Sequence, residues 1–490
     1  MSPDQIQPVT IVAVPFPGQS HLNQLLHFSL ILSSRNLPVH FAAPSSSIHQ
    51  AQSRLHGWPS ASLLNIHFHE LPLPPPTPLS PSSPPHLAHA LRLFETPLLL
   101  RPSLSSLLHS LSLSSRRLIL LHDTFMSVAA LEAASLSNAE SYTFQCVSAF
   151  QALFELQPNL RPKTRTNPFV AAHFEDWVPA PILERVKLLE HHRPVEVGII
   201  ANSCRPLDGE FVDLLANEYW PKNIFAVSPL HLIGPKLAGG SEKRHQCLMW
   251  LDKQPPASVV YVSFGSTTTM SGAQVQQLAI GLRRSGQRFI WVVMSLLFQD
   301  LSLCYKFKSC LFIIIIFLGS HKSGQIREAD EGAIGSEGEN GNGSLPAGFE
   351  EEMQGVGMLV RGWAPQVEIL AHLSTAAFVS HCGWNSTMES LSSGVPIIAW
   401  PMQIDQPRNA MVLTEYWKVG VIVREWDHRK EVVSAERVEE VVRMVVVEEE
   451  GKVMRDRARK IGEEIRRAVT EDGTSIADLN AFVAHITRNG

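Results

Sequence analysis

Short, unbroken apolar runs separated by stretches of helical periodicity constrain this chain more than any other feature. Val9 to Phe16 (VTIVAVPF) is apolar at nearly every position, as a strand must be when helices cover both of its faces. A Pro-Gly turn follows, and HLNQLLHFSLILSSR then carries apolar residues at helical spacing. Pro38–Ala43, Arg117–Leu121 (RLILL, ending at His122-Asp123) and Gly198–Ser203 (GIIANS) repeat the strand signal in the first half. In the second half it recurs at Val259–Phe264, Phe289–Val293, Gly357–Val360, Ala376–Ser380, Val395–Trp400 and Val419–Val423, with helical patterns between. This alternation predicts an α/β chain of two Rossmann-like, doubly wound parallel-sheet domains facing each other across a cleft. Leu237–Arg244 (LAGGSEKR), Gly-rich and charged, is the best linker and divides the chain into domains 1–240 and 241–464. Residues 465–490 read as a helix, a Gly-containing break and a second helix, and Leu71–Pro85, dense in Pro and Ser, reads as an exposed loop.

Composition removes several function classes. The 490 residues are 44% hydrophobic and 18% charged, as expected of a soluble enzyme with sizeable cores. A formal charge of −5, without a block of Lys or Arg, gives no basis for nucleic-acid binding. The six Cys are scattered with no Cys-x-x-Cys pair, which argues against a zinc site or a disulfide framework. The N-terminus lacks a basic region followed by an apolar stretch, and the longest apolar run, Cys310–Gly319, is about half the ~20 residues needed to cross a bilayer. A cytoplasmic, monomeric enzyme without membrane insertion is the expectation.

The segment from Trp363 to Gln406, WAPQVEILAHLSTAAFVSHCGWNSTMESLSSGVPIIAWPMQIDQ, holds a Trp, a His, a Gly-Trp-Asn-Ser-Thr run, a Glu and a terminal Asp-Gln pair in fixed order. It resembles the signature box of plant family 1 glycosyltransferases, which transfer sugar from a UDP-sugar to small molecules. The residue types suit such a donor. Trp363 can stack on uracil, the backbone of Ala364 can meet the base edge, and Gln366 is placed to reach ribose. Ser380 to Ser386 reads as a strand end, a tight turn and a helix start, and a helix N-terminus attracts a diphosphate. Within it Gly383 permits close approach, Trp384 opens the helix, Asn385 and Ser386 add donors and a cap, and His381 offers a ring N–H. Glu389, one turn beyond Asn385, can accept from both ribose hydroxyls, and Asp405 and Gln406 can accept from and donate to hexose hydroxyls. Ser266, after the strand ending at Ser263-Phe264-Gly265, adds a second phosphate-facing loop. Taken singly, each residue has an ordinary structural reading; a packing segment has no need for the ordered set. The resemblance assigns these residues the same roles, and its Gln at the last position goes with glucose as donor sugar.

Glycosyl transfer to a hydroxyl needs a base. His21 follows the first strand and the Pro-Phe-Pro-Gly turn, at the mouth of the sheet, and a neutral imidazole there can take the proton near pH 7. Asp123 ends another strand of that sheet and can orient His21, while strand alternation turns His122 to the other face. The family's catalytic pair maps onto His21 and Asp123. The resemblance implies the GT-B arrangement, with the acceptor on the first domain, the UDP-sugar on the second and the C-terminal tail crossing back. It also implies inversion, with UDP-glucose as co-substrate and no metal or other cofactor. The turn at Pro15–His21 fails the G-x-G-x-x-G pattern of nicotinamide enzymes, and no Asp-x-Asp stands near the donor box.

PFPGQSHLNQLLHFSLILSSRNLPVHF, the HGWPS run, HFHELPLPPP and LHDTFM together look like the zeatin O-glucosyltransferase subgroup, whose members act on side-chain hydroxyls of cytokinins and whose close relatives act on flavonoids. A flavonoid or phenolic acceptor and UDP-xylose as donor remain alternatives. Met294–Ile326 fits neither periodicity and reads like a translated U-rich intron, so we expect a retained intron or gene-model error rather than a native loop. If it is made, it follows a strand end where ligands bind, and a nucleotide-sugar-binding protein with impaired catalysis becomes a third reading.

Overall fold

The computed structural model describes residues 7–55, 57–75, 85–156, 180–190, 196–219, 222–234, 244–265, 270–293 and 345–488. The expected insertion at 294–326, Ser266, and all of the expected linker except Arg244 lie outside the described residues.

Two parallel sheets form, as the alternation predicts. The first holds β1 (Gln7–Val14), β2 (Val39–Ala43), β3 (Ile66–Glu70), β4 (Ser115–Asp123), β5 (Ala139–Gln145), β6 (Gly198–Ala201) and β7 (Asn223–Ala226), in the order β3-β2-β1-β4-β5-β6-β7. The second holds β8 (Val259–Ser263), β9 (Arg288–Val293), β10 (Gly357–Arg361), β11 (Thr375–Ser380), β12 (Ile397–Ala399) and β13 (Gly420–Ile422), in the order β10-β9-β8-β11-β12-β13. In each sheet the order reverses beside the first strand, so β1/β4 and β8/β11 flank the crevices where such sheets bind ligands.

The continuous apolar runs follow from cover on both faces. Ile11 and Ala13 of β1 join one core with Phe41, Ile119 and the helix α1 (Gln19–Ser33), whereas Val12 and Val14 join another with Leu118, Leu120 and the helices Pro85–Leu99 and Arg101–Ser112. The helices used below are α2 (Arg205–Tyr219), α3 (Gln366–Ala371), α4 (Trp384–Ser392), α5 (Gln406–Met411), α6 (Glu449–Ala468) and α7 (Thr474–Thr487). The tail extends further back than expected: α6 begins at Glu449, and the break follows Ala468. Beyond it, α7 returns to the first sheet, where Leu479, Phe482 and Ile486 enter the core of β1 and α1. Phe482 is fully buried, so truncating it to Ala would cost about 3–5 kcal/mol. Of the expected loop Leu71–Pro85, residues 72–75 are exposed, Leu71 is buried, and residues 76–84 lie outside the described residues. No helix among the described residues is long and apolar enough to cross a membrane.

Candidate active site

Parallel pairing of β1 with β4, with Val14 opposite His122, puts the loop after β1 beside the end of β4. His21, in the first turn of α1, thereby meets Asp123 from 102 residues away, Nδ1 to Oδ2 at 2.7 Å. The Asp123 carboxylate is completely buried and also accepts from the Phe125 N–H at 2.9 Å and the Cys146 thiol at 3.1 Å. Burial raises its pKa, but the His21 charge and these hydrogen bonds outweigh burial and hold it below the usual carboxylate value. His122 turns away, as strand alternation predicts, with its ring 3.5 Å from Glu196. Phe16, Phe94 and Phe125 pack around one another, and Phe16 and Phe125 each meet the His21 ring at a centroid distance of 5.6 Å. They line the His21 ring with an apolar wall.

Cys146 escaped the sequence reading, since a Cys after an apolar strand carries no signal of its own. Its Sγ lies close enough to His21 and Asp123 for the three to hold a metal ion. Burial and the neighbouring Asp123 charge push its thiol well above the ordinary value, so it remains an S–H donor to Asp123 rather than a thiolate ligand.

The second crevice is built around a turn. Cys382 adopts a left-handed φ of 64°, uncommon without glycine, and Asn409 of α5 donates to its carbonyl at 2.9 Å. The turn brings His381 between two glycines. A Cβ on Gly265 would stand 2.9 Å from the imidazole, and one on Gly383 would stand 2.5 Å from Nε2. Burial lowers the His381 pKa to about 4, so the ring is neutral, and its buried Nδ1 has no partner among the described residues. The helix α4 opens at Gly383 without any side-chain cap. This corrects the expected capping by Asn385 or Ser386 and leaves the first N–H groups of α4 available to an anion.

Ser386 instead accepts from Gln366 at 3.0 Å, and the same amide donates to Glu389 at 2.7 Å. Gln366, Ser386 and Glu389 therefore form one cluster, which Tyr261 joins through Gln366 Oε1 at 3.3 Å. Burial pushes the Glu389 carboxyl up to about 7, the Gln366 hydrogen bond opposing and Glu368 adding to the rise. Trp363 is 76% exposed, its indole edge-on to His245 at 5.8 Å, a platform open to a flat ring. Beside it, the Ala364 carbonyl is occupied by the Gln366 N–H at 2.9 Å. Asp405 accepts from Asn409 at 2.7 Å.

One expected role is narrower than the sequence implies. Gln406 is buried, and its amide oxygen accepts from the Met402 and Gln403 N–H groups at 2.9 Å each, so only its NH2 can serve a sugar. The Trp384 indole N–H donates across the cleft to the Asn202 carbonyl at 2.6 Å, while its backbone stands at the opening of α4. That bond, with Trp417 to the Leu207 carbonyl at 3.1 Å and Arg408 to Gln151 at 3.3 Å, joins the two halves so that both crevices face one cleft.

Residues 7–232 match the family model described as glycosyltransferase, N-terminal domain, and residues 347–468 match that for UDP-glucoronosyl and UDP-glucosyl transferase. The chain is 39% identical to cis-zeatin O-glucosyltransferase 1 of Zea mays over 100% of both chains. It is 37% identical to zeatin O-xylosyltransferase of Phaseolus vulgaris over 98% of each. Its fold superposes with a TM-score of 0.74 on Phytolacca americana UGT2 complexed with UDP-2fluoro-glucose and pterostilbene, at 26% identity, covering 98% of this chain and 100% of that one.

Proposed function

The chain belongs to the UDP-glycosyltransferase family and is an enzyme that glycosylates small molecules, and from that premise we propose that it transfers glucose, with inversion, from UDP-glucose to a side-chain hydroxyl of the cytokinin zeatin. The observation that carries the chemistry is the 2.7 Å pair of His21 and Asp123 at the first crevice. Asp123 holds Nδ1, so Nε2 on the opposite side of the ring takes the acceptor proton as the oxygen attacks the anomeric carbon. The buried carboxylate then stabilises the imidazolium. Trp363 stacks on uracil, Glu389 and Gln366 take the ribose, and His381 with the open end of α4 holds the diphosphate as UDP leaves. That helix end supplies the positive field that a divalent cation supplies elsewhere, so no metal is required. Asp405 and the Gln406 NH2 orient the hexose. Zeatin as acceptor is supported by the full-length likeness to zeatin O-glucosyltransferases and by the aromatic wall beside His21.

UDP-xylose is the second reading of the donor, favoured by the 37% identity to a zeatin O-xylosyltransferase. A panel assay decides between them: UDP release and product mass are measured for zeatin, flavonols and simple phenols with each UDP-sugar, using the chain with and without residues 294–326. Glucosylated zeatin is the expected product. Turnover of phenols with none of zeatin overturns the acceptor, and turnover only after deletion of 294–326 identifies that block as an obstruction.

A further inference from the structure

We infer that Gln24, Asn202 and Trp384 form a buried brace that holds the helix bearing His21 in register with the helix end that receives the diphosphate. The three are positioning residues for the transfer proposed above, on which the inference rests. Gln24 lies on α1 one turn beyond His21, and its amide oxygen accepts from the Asn202 side-chain N–H. Asn202 directly follows β6, its own N–H donating to the Gln145 carbonyl at 3.0 Å, next to the Cys146 that bonds Asp123. Its carbonyl accepts the indole N–H of Trp384, the first residue of α4, at 2.6 Å. Gln24, Asn202 and Trp384 are only 6%, 4% and 3% exposed, so the path from α1 to α4 is shielded from water.

The residue types fit a linking role better than simple filling. Asn both donates and accepts, and Trp supplies the N–H that Phe would lack. In dry surroundings such bonds are directional, and breaking one leaves a polar group stranded, so the joint resists sliding. The Trp417 and Arg408 crossings end on α2 and on Gln151; the Trp384 bond connects through Asn202 to α1. Base and leaving group sit on different sheets, and a misplacement of about 1 Å between reacting groups can cost about 100-fold in rate. A rigid link at this point turns contact between the halves into alignment for attack.

The test compares Trp384→Phe and Gln24→Met, which break the brace with little change in bulk, with Gln24→Glu, which keeps an acceptor for Asn202. At saturating UDP-glucose and acceptor, the first two should lose about tenfold in kcat with KM for UDP-glucose within about twofold, and Gln24→Glu should recover most of the rate. In parallel, hydrogen exchange of the α1 amides is measured with UDP alone. UDP should slow their exchange in the wild type and in Gln24→Glu, but not in the two broken variants. Equal protection in all four proteins, or kcat retained in both broken variants, overturns the brace; should Trp384→Phe unfold, Gln24→Met alone decides. A wild type in which UDP protects α1 but no hydroxyl is glucosylated supports the brace and rejects the proposed transfer instead.

Discussion

The two crevices share one strand order and are equipped in opposite ways. The first places two titratable side chains against each other, His21 and Asp123, with the carboxylate sealed from water and held by three donors. The second gathers uncharged groups: neutral His381, glycines on either side of it, and an uncapped helix end. In the proposed transfer, the first moves a proton and the second receives the charge that develops on the leaving group. The fold supplies two equivalent locations, and the residues at the strand ends decide what each does.

That contrast breaks most visibly at His21. His21→Ala should lower kcat by about 10²–10⁴-fold while the Kd for UDP, measured by calorimetry, changes little. Turnover that survives the substitution would remove proton transfer from the first crevice. Asp123→Asn should come next, with a smaller loss in kcat and UDP affinity again nearly unchanged, because it removes the orienting charge but keeps the shape. Trp363→Ala acts on the other side, weakening UDP binding by about 1–3 kcal/mol with a lesser effect on kcat, as titration with UDP would read out. Glu389→Gln sharpens the comparison most gently. The Glu389 carboxyl lies at about 7, so lowering the pH from 8 to 6 protonates it and removes an acceptor for the ribose diol. KM for UDP-glucose should rise over that interval in the wild type and stay flat in Glu389→Gln.

The donor side was the more legible in sequence, for a physical reason. Its residues run contiguously from Trp363 to Gln406 because one strand, turn and helix carry most of the site, so polar types fall in a fixed order. The sheets were legible too, since burial on both faces demands the runs at Val9 and Val259, although β3, β5 and β7 are too mixed in composition to stand out. The first crevice joins residues far apart in the chain, and only the place of His21 just after β1 and of Asp123 at the end of β4 marks them. Cys146, Gln24 and Asn202 gave no signal, because an isolated polar residue in apolar surroundings has the same sequence appearance whether it caps, fills or links. Trp384 shows the same limit from the other side. A Trp that opens a helix gives no sign in sequence of where its indole goes, and here the indole joins the two halves.

The proposed transfer requires the phosphates of the donor to rest on the open end of α4, within reach of chemistry at His21. A crystal structure of the protein with UDP tests it most directly. The β-phosphate oxygens should lie within hydrogen-bonding distance of the backbone N–H groups of Asn385 and Ser386 and of the His381 ring, on the side of the cleft facing His21. A diphosphate bound away from that helix end, or on a face turned from His21, would contradict it.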